Sequence, residues 1–269
     1  MIYGDLDRPP LDAGALRTAL VGPGSLWTDV VVTPATASTN ADLAVAAGQG
    51  APEGTIHTTD HQTAGRGRLD RIWEAPAGSG LAVSVLLRPT RVPASRWVWL
   101  PLLVGLAVDA TVNGFEVEAG LKWPNDVLVG DRKLAGILLE RVETPSGPAA
   151  IVGVGLNVSM REDELPVDTA TSLAIEGASE TDRTIVLRSF LRNLESLYRS
   201  WLASDGDPAA GIRDSYTRRC ITLGKRVRVT MPDGSVVEGE ASALDDHGRL
   251  VVGHQPVSAG DVTHVRPIT

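Results

Sequence analysis

The strongest constraint on the fold is the short spacing of the turns that interrupt the predicted strands between residues 117 and 159. Short apolar stretches, which predict β-strands, are separated by proline- or glycine-containing breaks at residues 124–125, 130–131 and 147–148. A parallel pair of strands needs a crossover of about a dozen residues or more, whereas an antiparallel pair is joined by a short turn. The strands of this region must therefore pair antiparallel. We predict an α+β fold built on a mixed, largely antiparallel sheet.

Apolar periodicity predicts helices that flank this sheet. Residues 181–203 carry apolar side chains at three- and four-residue spacings on one helical face. Residues 93–112 predict a long buried helix, in which Trp97 and Trp99 are expected to be core residues. Shorter helices are predicted at residues 11–20, 40–47 and 209–219, and further strands at 27–33, 54–61 and 80–87.

The pattern changes after Gly224. Residues 226–237 predict two strands around a Pro-Asp-Gly turn, and further short strands are predicted at 249–252 and 262–265. Short strands at regular spacing are typical of a small β-barrel. We therefore predict two domains, residues 1–220 and residues 221–269, which is the number expected for a chain of 269 residues.

Composition and charge narrow the possible functions. The chain has 43% hydrophobic residues, 22% charged residues and a net charge of −8, which argues against a dedicated nucleic-acid-binding protein. Its single cysteine, Cys220, excludes an intramolecular disulfide and a cysteine-rich metal site. The first residues show no secretory signal, and the most apolar run, residues 97–112, is too short to span a bilayer. We expect a cytoplasmic protein with no membrane and no nucleic-acid partner.

Residues 62–73 form a basic segment without an apolar period. Its three arginines offer planar forks of N–H donors that suit carboxylate or phosphate oxygens. The glycines at positions 65 and 67 let the backbone approach a ligand closely. A polar loop between two predicted strands fits a lid over an anionic ligand. The alternative is an arginine-rich loop that is simply solvated.

Several common catalytic patterns are absent from the sequence. No Gly-x-x-x-x-Gly-Lys-Ser/Thr loop occurs, and the Gly-x-Gly segments lack the third glycine of a dinucleotide fingerprint. His57, Asp60 and His61 are predicted to be ordinary strand residues rather than a metal site. Cys220 has no evident base partner, and no Gly-x-Ser-x-Gly elbow exists. Any ATP must be bound without a P-loop, and no side chain is a candidate nucleophile.

Short motifs follow one another in a fixed order. They are Ser38-Thr39-Asn40, Gly65-Arg-Gly-Arg68, Lys122-Trp-Pro-Asn-Asp126, Lys133-Leu-Ala-Gly136, Gly153-Val-Gly-Leu-Asn157 and Ala170-Thr-Ser-Leu173. From about Ser38 to the C-terminus the chain resembles the biotin protein ligases. The resemblance implies a class II synthetase-like catalytic domain with flanking helices, followed by an SH3-like β-barrel. Too few residues precede Ser38 for the helix-turn-helix domain of some relatives, so the monofunctional type is expected.

The activity implied by the resemblance is that of an ATP-dependent ligase forming a C–N bond. Biotin and ATP give biotinoyl-5′-AMP, and biotin then passes to a lysine of the biotin carboxyl carrier protein domain of a biotin-dependent carboxylase. A carboxylate that attacks an α-phosphate brings two anions together, so the site must offer fixed cations and Mg²⁺. The resemblance implies catalytic roles for Lys133, Arg66 and Arg68 at the acyl phosphate. It places Asn125 and Asp126 at the triphosphate, with Asp126 on Mg²⁺.

The other binding residues are likewise implied by the resemblance alone. Biotin is contacted by residues at the N-terminus of the predicted helix 40–47 and at the start of the basic segment: Ser38, Thr39, Asn40, Gln62 and Gly65. Ser38 or Thr39 can also cap the helix that follows. The backbone approaches the ligand at Gly67 and Gly136, and Lys122 contacts phosphate. The ribose and adenine of the adenylate lie beside Gly155 and Asn157.

The basic segment departs from the family pattern after Arg68. Leu69 and Asp70 stand where relatives often have a glycine and a second basic pair, so the resemblance does not fix the closed conformation of the loop. Trp73 either packs over the ligand or anchors the exit from the loop. Two other functions are open: a lipoate–protein ligase, which shares the fold and the adenylation chemistry, and a non-enzymatic regulator that senses biotin.

Overall fold

The protein is described here by a computed structural model that covers residues 8–258 and 260–264, without the side chain of Asp70. Residues 1–7, where no secretory signal is predicted, lie outside the described residues. So does Val265, the last residue of the predicted final strand.

The nine strands between residues 29 and 157 form one large sheet and one small two-stranded ribbon. They are β1 (Asp29–Thr33), β2 (Thr55–Thr59), β3 (Gly65–Arg66), β4 (Ile72–Trp73), β5 (Gly80–Leu87), β6 (Gly120–Lys122), β7 (Asp126–Val129), β8 (Arg132–Thr144) and β9 (Gly147–Asn157). The large sheet has the order β1-β2-β5-β9-β8-β7-β6, and β3 pairs with β4. β1 and β2 are parallel, and every other neighbouring pair in the sheet is antiparallel. The predicted mixed, largely antiparallel sheet is confirmed.

The helices lie close to their predicted positions, with two corrections. They are α1 (Ala13–Leu20), α2 (Thr39–Gly48), α3 (Leu100–Asn113), α4 (Arg183–Ala203) and α5 (Ile212–Arg219). The predicted helix at 93–112 begins as a 3-10 segment, Ala94–Trp99, and becomes α-helical only at α3, where Pro101 occupies the first turn. The predicted helix at 209–219 is interrupted at Gly211, whose φ of 124° is left-handed, so α5 starts after it.

α3 is the core helix that packs on the large sheet. Leu100, Leu103, Val104 and Ala107 are all 0% exposed, and α3 packs against α4 and against the sheet. Full burial of a leucine contributes about 1.5–3 kcal/mol, so this helix stabilises the sheet substantially. Residues 94–113 are apolar and long enough to cross a membrane by length and composition alone, yet 72% of this stretch is buried inside the protein. Core packing therefore accounts for its apolar character.

The C-terminal region forms a second, antiparallel sheet. Its strands are β10 (Arg226–Thr230), β11 (Val236–Leu244), β12 (Leu250–Val252), β13 (Gln255–Val257) and β14 (Asp261–His264), in the order β13-β12-β11-β10-β14. Two indoles from the first part of the chain hold this sheet in place: Trp99 Nε1 donates to Asp246 O at 3.0 Å, and Trp123 Nε1 donates to Gly248 O at 2.9 Å. The predicted domain boundary between residues 220 and 221 stays a prediction.

Candidate active site

A pocket with an empty volume of about 950 Å³, which includes its opening to solvent, lies over strands β5, β7, β8 and β9. The first turn of α2, the β3-β4 ribbon and residues 260–262 form its walls. The predicted site residues that line it are Ser38, Thr39, Asn40, Gln62, Arg66, Gly67, Arg68, Trp73, Lys122, Asn125, Asp126, Lys133, Gly136 and Gly155. Gly65 and Asn157 are not among the lining residues.

The first turn of α2 forms a fixed polar end of the pocket. Ser38 caps the helix with its side chain, as the sequence predicts for this position. Thr39 N donates to Gln62 Oε1 at 3.0 Å. Ser84 Oγ lies 2.7 Å from Thr39 Oγ1 and 2.6 Å from Asn40 Oδ1, and all three of these side chains are buried. Buried polar groups that are mutually bonded keep one orientation, which suits recognition of a polar ring system.

Glu140 joins this polar end to the ribbon. Asn40 Nδ2 donates to Glu140 Oε2 at 2.6 Å, and Arg66 Nη2 lies 3.3 Å from Glu140 Oε1. The amide of Asn40 packs directly against the backbone of β9 at Gly153. A Cβ at this position would overlap the amide. One carboxylate therefore positions a ligand-facing amide of α2 and a guanidinium of the ribbon together.

Two glycines paired across β8 and β9 form a flat floor under Trp73. Gly136 and Gly155 are opposite one another in the strand register. A Cβ on Gly136 would lie 3.3 Å from the Trp73 ring, and a Cβ on Gly155 would overlap the indole. Lys133 Nζ lies 5.7 Å from the centroid of the same ring, within the range of a cation–π contact. The backbone of Trp73 pairs with Gly65 in the ribbon, so Trp73 anchors the ribbon while its indole lies in the pocket.

The opposite end of the pocket is cationic. Lys133 Nζ lies 2.7 Å from Asp126 Oδ1. This oxygen is buried and accepts no well-aligned hydrogen bond, so the contact is an ion pair. Arg68 Nη1 donates to Asn125 Oδ1 at 2.9 Å, and Asn125 is itself held by β8, since its Nδ2 donates to Ile137 O at 3.1 Å. Lys133 is thus held on strand β8, and Arg68 is held from the turn of the ribbon by Asn125.

The electrostatic surroundings favour an anion at this end. Burial lowers the pKa of Arg68, but Asp126 and Asp261 oppose the shift, and a guanidinium stays charged at neutral pH. Burial and the neighbouring charges of Lys225 and Lys122 lower the pKa of His264 to about 4. His264 is therefore neutral near pH 7. Lys122, which lines the pocket, disfavours further positive charge and attracts phosphate oxygens.

Two family models match the chain: the biotin/lipoate A/B protein ligase family over residues 33–157 and the biotin protein ligase C-terminal domain over residues 222–265. The chain is 44% identical to the biotin--[acetyl-CoA-carboxylase] ligase of Mycobacterium tuberculosis (strain ATCC 25618 / H37Rv), over 96% of this chain and 97% of that protein. The chain belongs to the biotin protein ligase family.

Other members of the biotin protein ligase family agree with this assignment. The bifunctional ligase/repressor BirA of Bacillus subtilis (strain 168) is 34% identical, over 88% of this chain and 71% of that protein. The solved structure of the biotin protein ligase from Aquifex aeolicus in complex with biotin and ATP superimposes with a TM-score of 0.73 at 26% identity, over 89% of this chain and 100% of that chain. The predicted ligase fold is confirmed.

In this member of the biotin protein ligase family, the predicted basic loop is a ribbon with a tight turn. β3 and β4 pair antiparallel, and residues 68–70 between them form a 3-10 turn. Leu69 adopts φ 55° and ψ 44°, a left-handed conformation that few residues other than glycine take up. Gly67 N donates to Arg71 O at 2.7 Å and closes the turn. Leu69 and Asp70, where the sequence departs from the family pattern, thus lie in the turn of the ribbon, and the side chain of Asp70 lies outside the described part of the chain.

Asn157 and Gly65 have supporting positions rather than lining ones. Asn157 is buried, and its Nδ2 donates to Thr171 O at 2.8 Å. Thr171 N in turn donates to Lys133 O at 2.9 Å, so Asn157 braces the segment that fixes the backbone of Lys133. Gly65 is needed because a Cβ there would overlap the carbonyl oxygen of Trp73. The roles predicted for these two residues at the ligand stay predictions.

Sequence reasoning missed four side chains of the site. Ser84 had a local signal, since it is the one polar residue of an otherwise apolar strand. Glu140 had none, because alternating charged residues are ordinary on a half-exposed strand. Arg71 and Asp261 form an ion pair between the ribbon and β14, and nothing in either sequence segment identifies the other partner.

Proposed function

We propose that the chain attaches biotin to a lysine of a biotin carboxyl carrier protein domain in two steps, through biotinoyl-5′-AMP made from biotin and ATP. One observation carries the proposal. The cations Lys133 and Arg68 lie in the same pocket as the buried polar network around Asn40. The network can hold the ring system of biotin while the cations hold its carboxylate beside the α-phosphate of ATP. Relatives of this chain are named biotin--[acetyl-CoA-carboxylase] ligases, and the Aquifex aeolicus protein was solved with biotin and ATP, which supports the assignment.

In the first step a carboxylate oxygen of biotin attacks the α-phosphorus of ATP. The acyl O–P bond forms, the bond to the β-phosphate oxygen breaks and pyrophosphate leaves. Lys133 offers an ammonium on a rigid strand, where it holds the attacking carboxylate and the phosphoryl oxygens. Its ion pair with Asp126 at 2.7 Å sets the position of Nζ before the substrates arrive. Arg68 adds a second fixed cation from the ribbon side.

In the second step the amine of the acceptor lysine attacks the acyl carbon. The C–N bond forms, the acyl C–O bond breaks and AMP leaves, while the amine proton is lost to solvent. A protein nucleophile is unnecessary, since the adenylate is already activated. Burial raises the pKa of the Cys220 thiol and also that of the Tyr216 hydroxyl, which suits two groups that take no part in the chemistry.

Mg²⁺ is implied by the ATP chemistry. No cluster of three or more His, Cys, Asp or Glu side chains that could hold a metal occurs among the described residues. Mg²⁺ at nucleotide sites takes only about one or two protein carboxylates, with phosphate oxygens and water as its other ligands. Asp126 supplies one carboxylate in the pocket wall, which fits that requirement. When bound, the ion neutralises negative charge on the phosphates.

The same chemistry supports our proposals for the acceptor and for the cell compartment. A carrier domain of a biotin-dependent carboxylase is a protein that presents one lysine, and the pocket is open to solvent, so a lysine side chain can reach it. The reaction consumes ATP, which supports a cytoplasmic location.

Incubation with ATP, MgCl₂ and a purified carrier domain tests the function directly. Parallel reactions contain biotin, lipoate or octanoate, and intact-mass spectrometry of the carrier domain reports which acid is attached. We expect biotin on a single lysine. Transfer of lipoate or octanoate in place of biotin would assign the chain to the lipoate branch, and binding of biotin without any transfer would make it a biotin sensor.

The ribbon is expected to be mobile without ligand and ordered with the adenylate. Its exposed arginines and its short strands allow opening, whereas an anion in the pocket would hold Arg66 and Arg68 in place. Limited trypsinolysis should cut after Arg66, Arg68 or Arg71 in the free protein, and biotinoyl-AMP should protect these bonds. Equal cutting rates with and without the adenylate would contradict this expectation.

Gly155→Ala is expected to displace Trp73 and to raise the KM for ATP. The added methyl would occupy the position of the indole, and overpacking costs about 1–3 kcal/mol. The resemblance places the ribose and adenine beside Gly155. ATP that binds against the indole in its original position must restore the overpacked contact, and this cost corresponds to about 5- to 150-fold in affinity. Steady-state pyrophosphate exchange measures the KM. Gly48→Ala is the matched control, because a Cβ there meets nothing within 4 Å. An unchanged KM in the Gly155 variant would mean that the position of the indole is unimportant for nucleotide binding.

A further inference from the structure

The last strand of the C-terminal sheet contributes to the wall of the pocket. Gly260, Asp261 and Val262 line the pocket, facing the β3-β4 ribbon. Arg71 of the ribbon forms an ion pair with Asp261. The side chains of Arg71 and Asp261 are 59% and 39% exposed, so this pair lies at the mouth of the pocket. The proposed reaction does not use either residue.

Arg71 belongs to the same tight turn as Arg68. Gly67 N donates to Arg71 O at 2.7 Å, and Arg71 N donates to Arg68 O at 3.3 Å. Leu69 reverses the chain between the two arginines. Because these residues are bonded to one another, displacement of Arg71 would carry Arg68 away from Asn125. The charge of Asp261 also opposes the lowering of the pKa of Arg68 by burial, which shows that Asp261 lies near Arg68 as well as in contact with Arg71.

Asp261 is anchored much more firmly than the ribbon. In the register of β10 and β14, Asp261 is opposite Thr230. The C-terminal sheet is fixed to the rest of the protein by the indole hydrogen bonds of Trp99 and Trp123, and Trp123 N also donates to Thr222 Oγ1 at 3.1 Å. The ribbon, by contrast, consists of two strands of two residues each. The ion pair therefore joins the short β3-β4 ribbon, which few contacts hold, to strand β14, which is fixed through the C-terminal sheet.

We propose that Asp261 is a positioning residue that holds the ribbon over the pocket through Arg71, so that the C-terminal sheet controls how long the adenylate is retained. This inference rests on the proposed function for the identity of the retained molecule. Asp261 touches no reacting atom in this scheme; it acts through Arg71 and then Arg68. An exposed ion pair of this kind shifts an opening equilibrium by up to about fivefold.

Hydrogen–deuterium exchange of the full-length protein without ligand tests the contact itself. Asp261→Asn should speed exchange in peptides covering residues 62–73 by up to about fivefold. The charge-swapped double variant, Arg71→Asp with Asp261→Arg, should restore slow exchange. Asp246→Asn is the matched control, because Asp246 pairs with Arg213 in another exposed contact of the C-terminal sheet that does not touch the ribbon. In the Asp246→Asn variant, peptides covering residues 62–73 should exchange as in the unsubstituted protein.

Adenylate retention is measured next, as release of preformed labelled biotinoyl-AMP. Asp261→Asn should release it up to about fivefold faster, and the double variant should return the rate to normal. Unchanged exchange in Asp261→Asn, or no rescue by the swap, would overturn the proposal. If the unsubstituted protein made no biotinoyl-AMP, the proposed function would fail, while the exchange experiment would still decide whether Asp261 holds the ribbon.

Discussion

Lys133→Ala is expected to lower biotin-dependent pyrophosphate exchange by about 10²–10³-fold, the usual loss when one preorganised donor is removed from a reacting centre. Lys133 stands on β8 and is fixed by Asp126 at 2.7 Å. Its backbone is held by Thr169 and Thr171 at 2.7 and 2.9 Å. These contacts aim the ammonium without help from the substrate. No other lysine of the chain is fixed in this way in the pocket among the described residues.

Two further variants separate catalysis from folding. Lys133→Ala leaves Asp126 without its cation, so Lys133→Gln, which retains a donor but no charge, should show a similar loss of exchange. Lys225→Ala is the matched control, since Lys225 does not line the pocket. Thermal unfolding of all three proteins should remain close to that of the unsubstituted chain. Near-normal pyrophosphate exchange in both Lys133 variants would refute the assignment.

Arg68→Gly is expected to make the adenylate but to release it early. Biotinoyl-AMP is a mixed anhydride that reacts with water and with exposed amines, so the site must exclude both until the acceptor lysine arrives. Arg68 connects the ribbon to Asn125 at 2.9 Å, and a charge-assisted hydrogen bond is worth about 1.5–3 kcal/mol. Its loss corresponds to about ten- to hundredfold faster release of the adenylate. Lys133 and Asp126 are untouched, so adenylation persists.

Early release can be detected by labelling of a bystander. The variant is mixed with biotin, ATP and serum albumin, and biotin on albumin is measured by blotting. The unsubstituted protein should label albumin weakly and the Arg68 variant strongly. Arg228→Ala, which removes an exposed arginine paired with Glu238 on the C-terminal sheet, is the control and should label albumin weakly. If albumin stays unlabelled while adenylate still forms, Arg68 does not retain the intermediate.

The two arginines of the ribbon turn are expected to differ in the size of their effects. Arg68 is half-buried and bonded inside the pocket, whereas Arg71 is exposed and pairs at its mouth. Burial strengthens a charged hydrogen bond, and solvent weakens an exposed ion pair. Loss of the Arg68 contact should therefore speed release more than loss of the Arg71–Asp261 pair. The opposite order would show that the ribbon is held chiefly from the C-terminal sheet.

The sequence alone determined the elements of this protein and most of its site. Apolar periodicity and short turns depend on residues a few positions apart, so they predicted α3, α4 and the antiparallel strands β6 to β9. The family resemblance that the short motifs carry implied Lys133, Asp126, Arg68 and Asn125, which the fold brings into one pocket. The observed helix starts differ from the predicted ones where a single residue sets the backbone conformation, as at Pro101 and Gly211.

Only the tertiary structure decided which side chains support those of the motifs. Ser84 beside Asn40, Gly155 under Trp73 and Asp261 beside Arg71 are contacts between segments far apart in the chain. Each depends on strand register and on how the C-terminal sheet docks, and a one-residue shift in register would turn every side chain of a strand to the other face. No local pattern encodes such a contact, because its distance is set by the packing of whole elements. The sequence thus predicted which motif residues line the pocket, and the packing of the two sheets decided that the ribbon contacts the C-terminal sheet through Arg71 and Asp261.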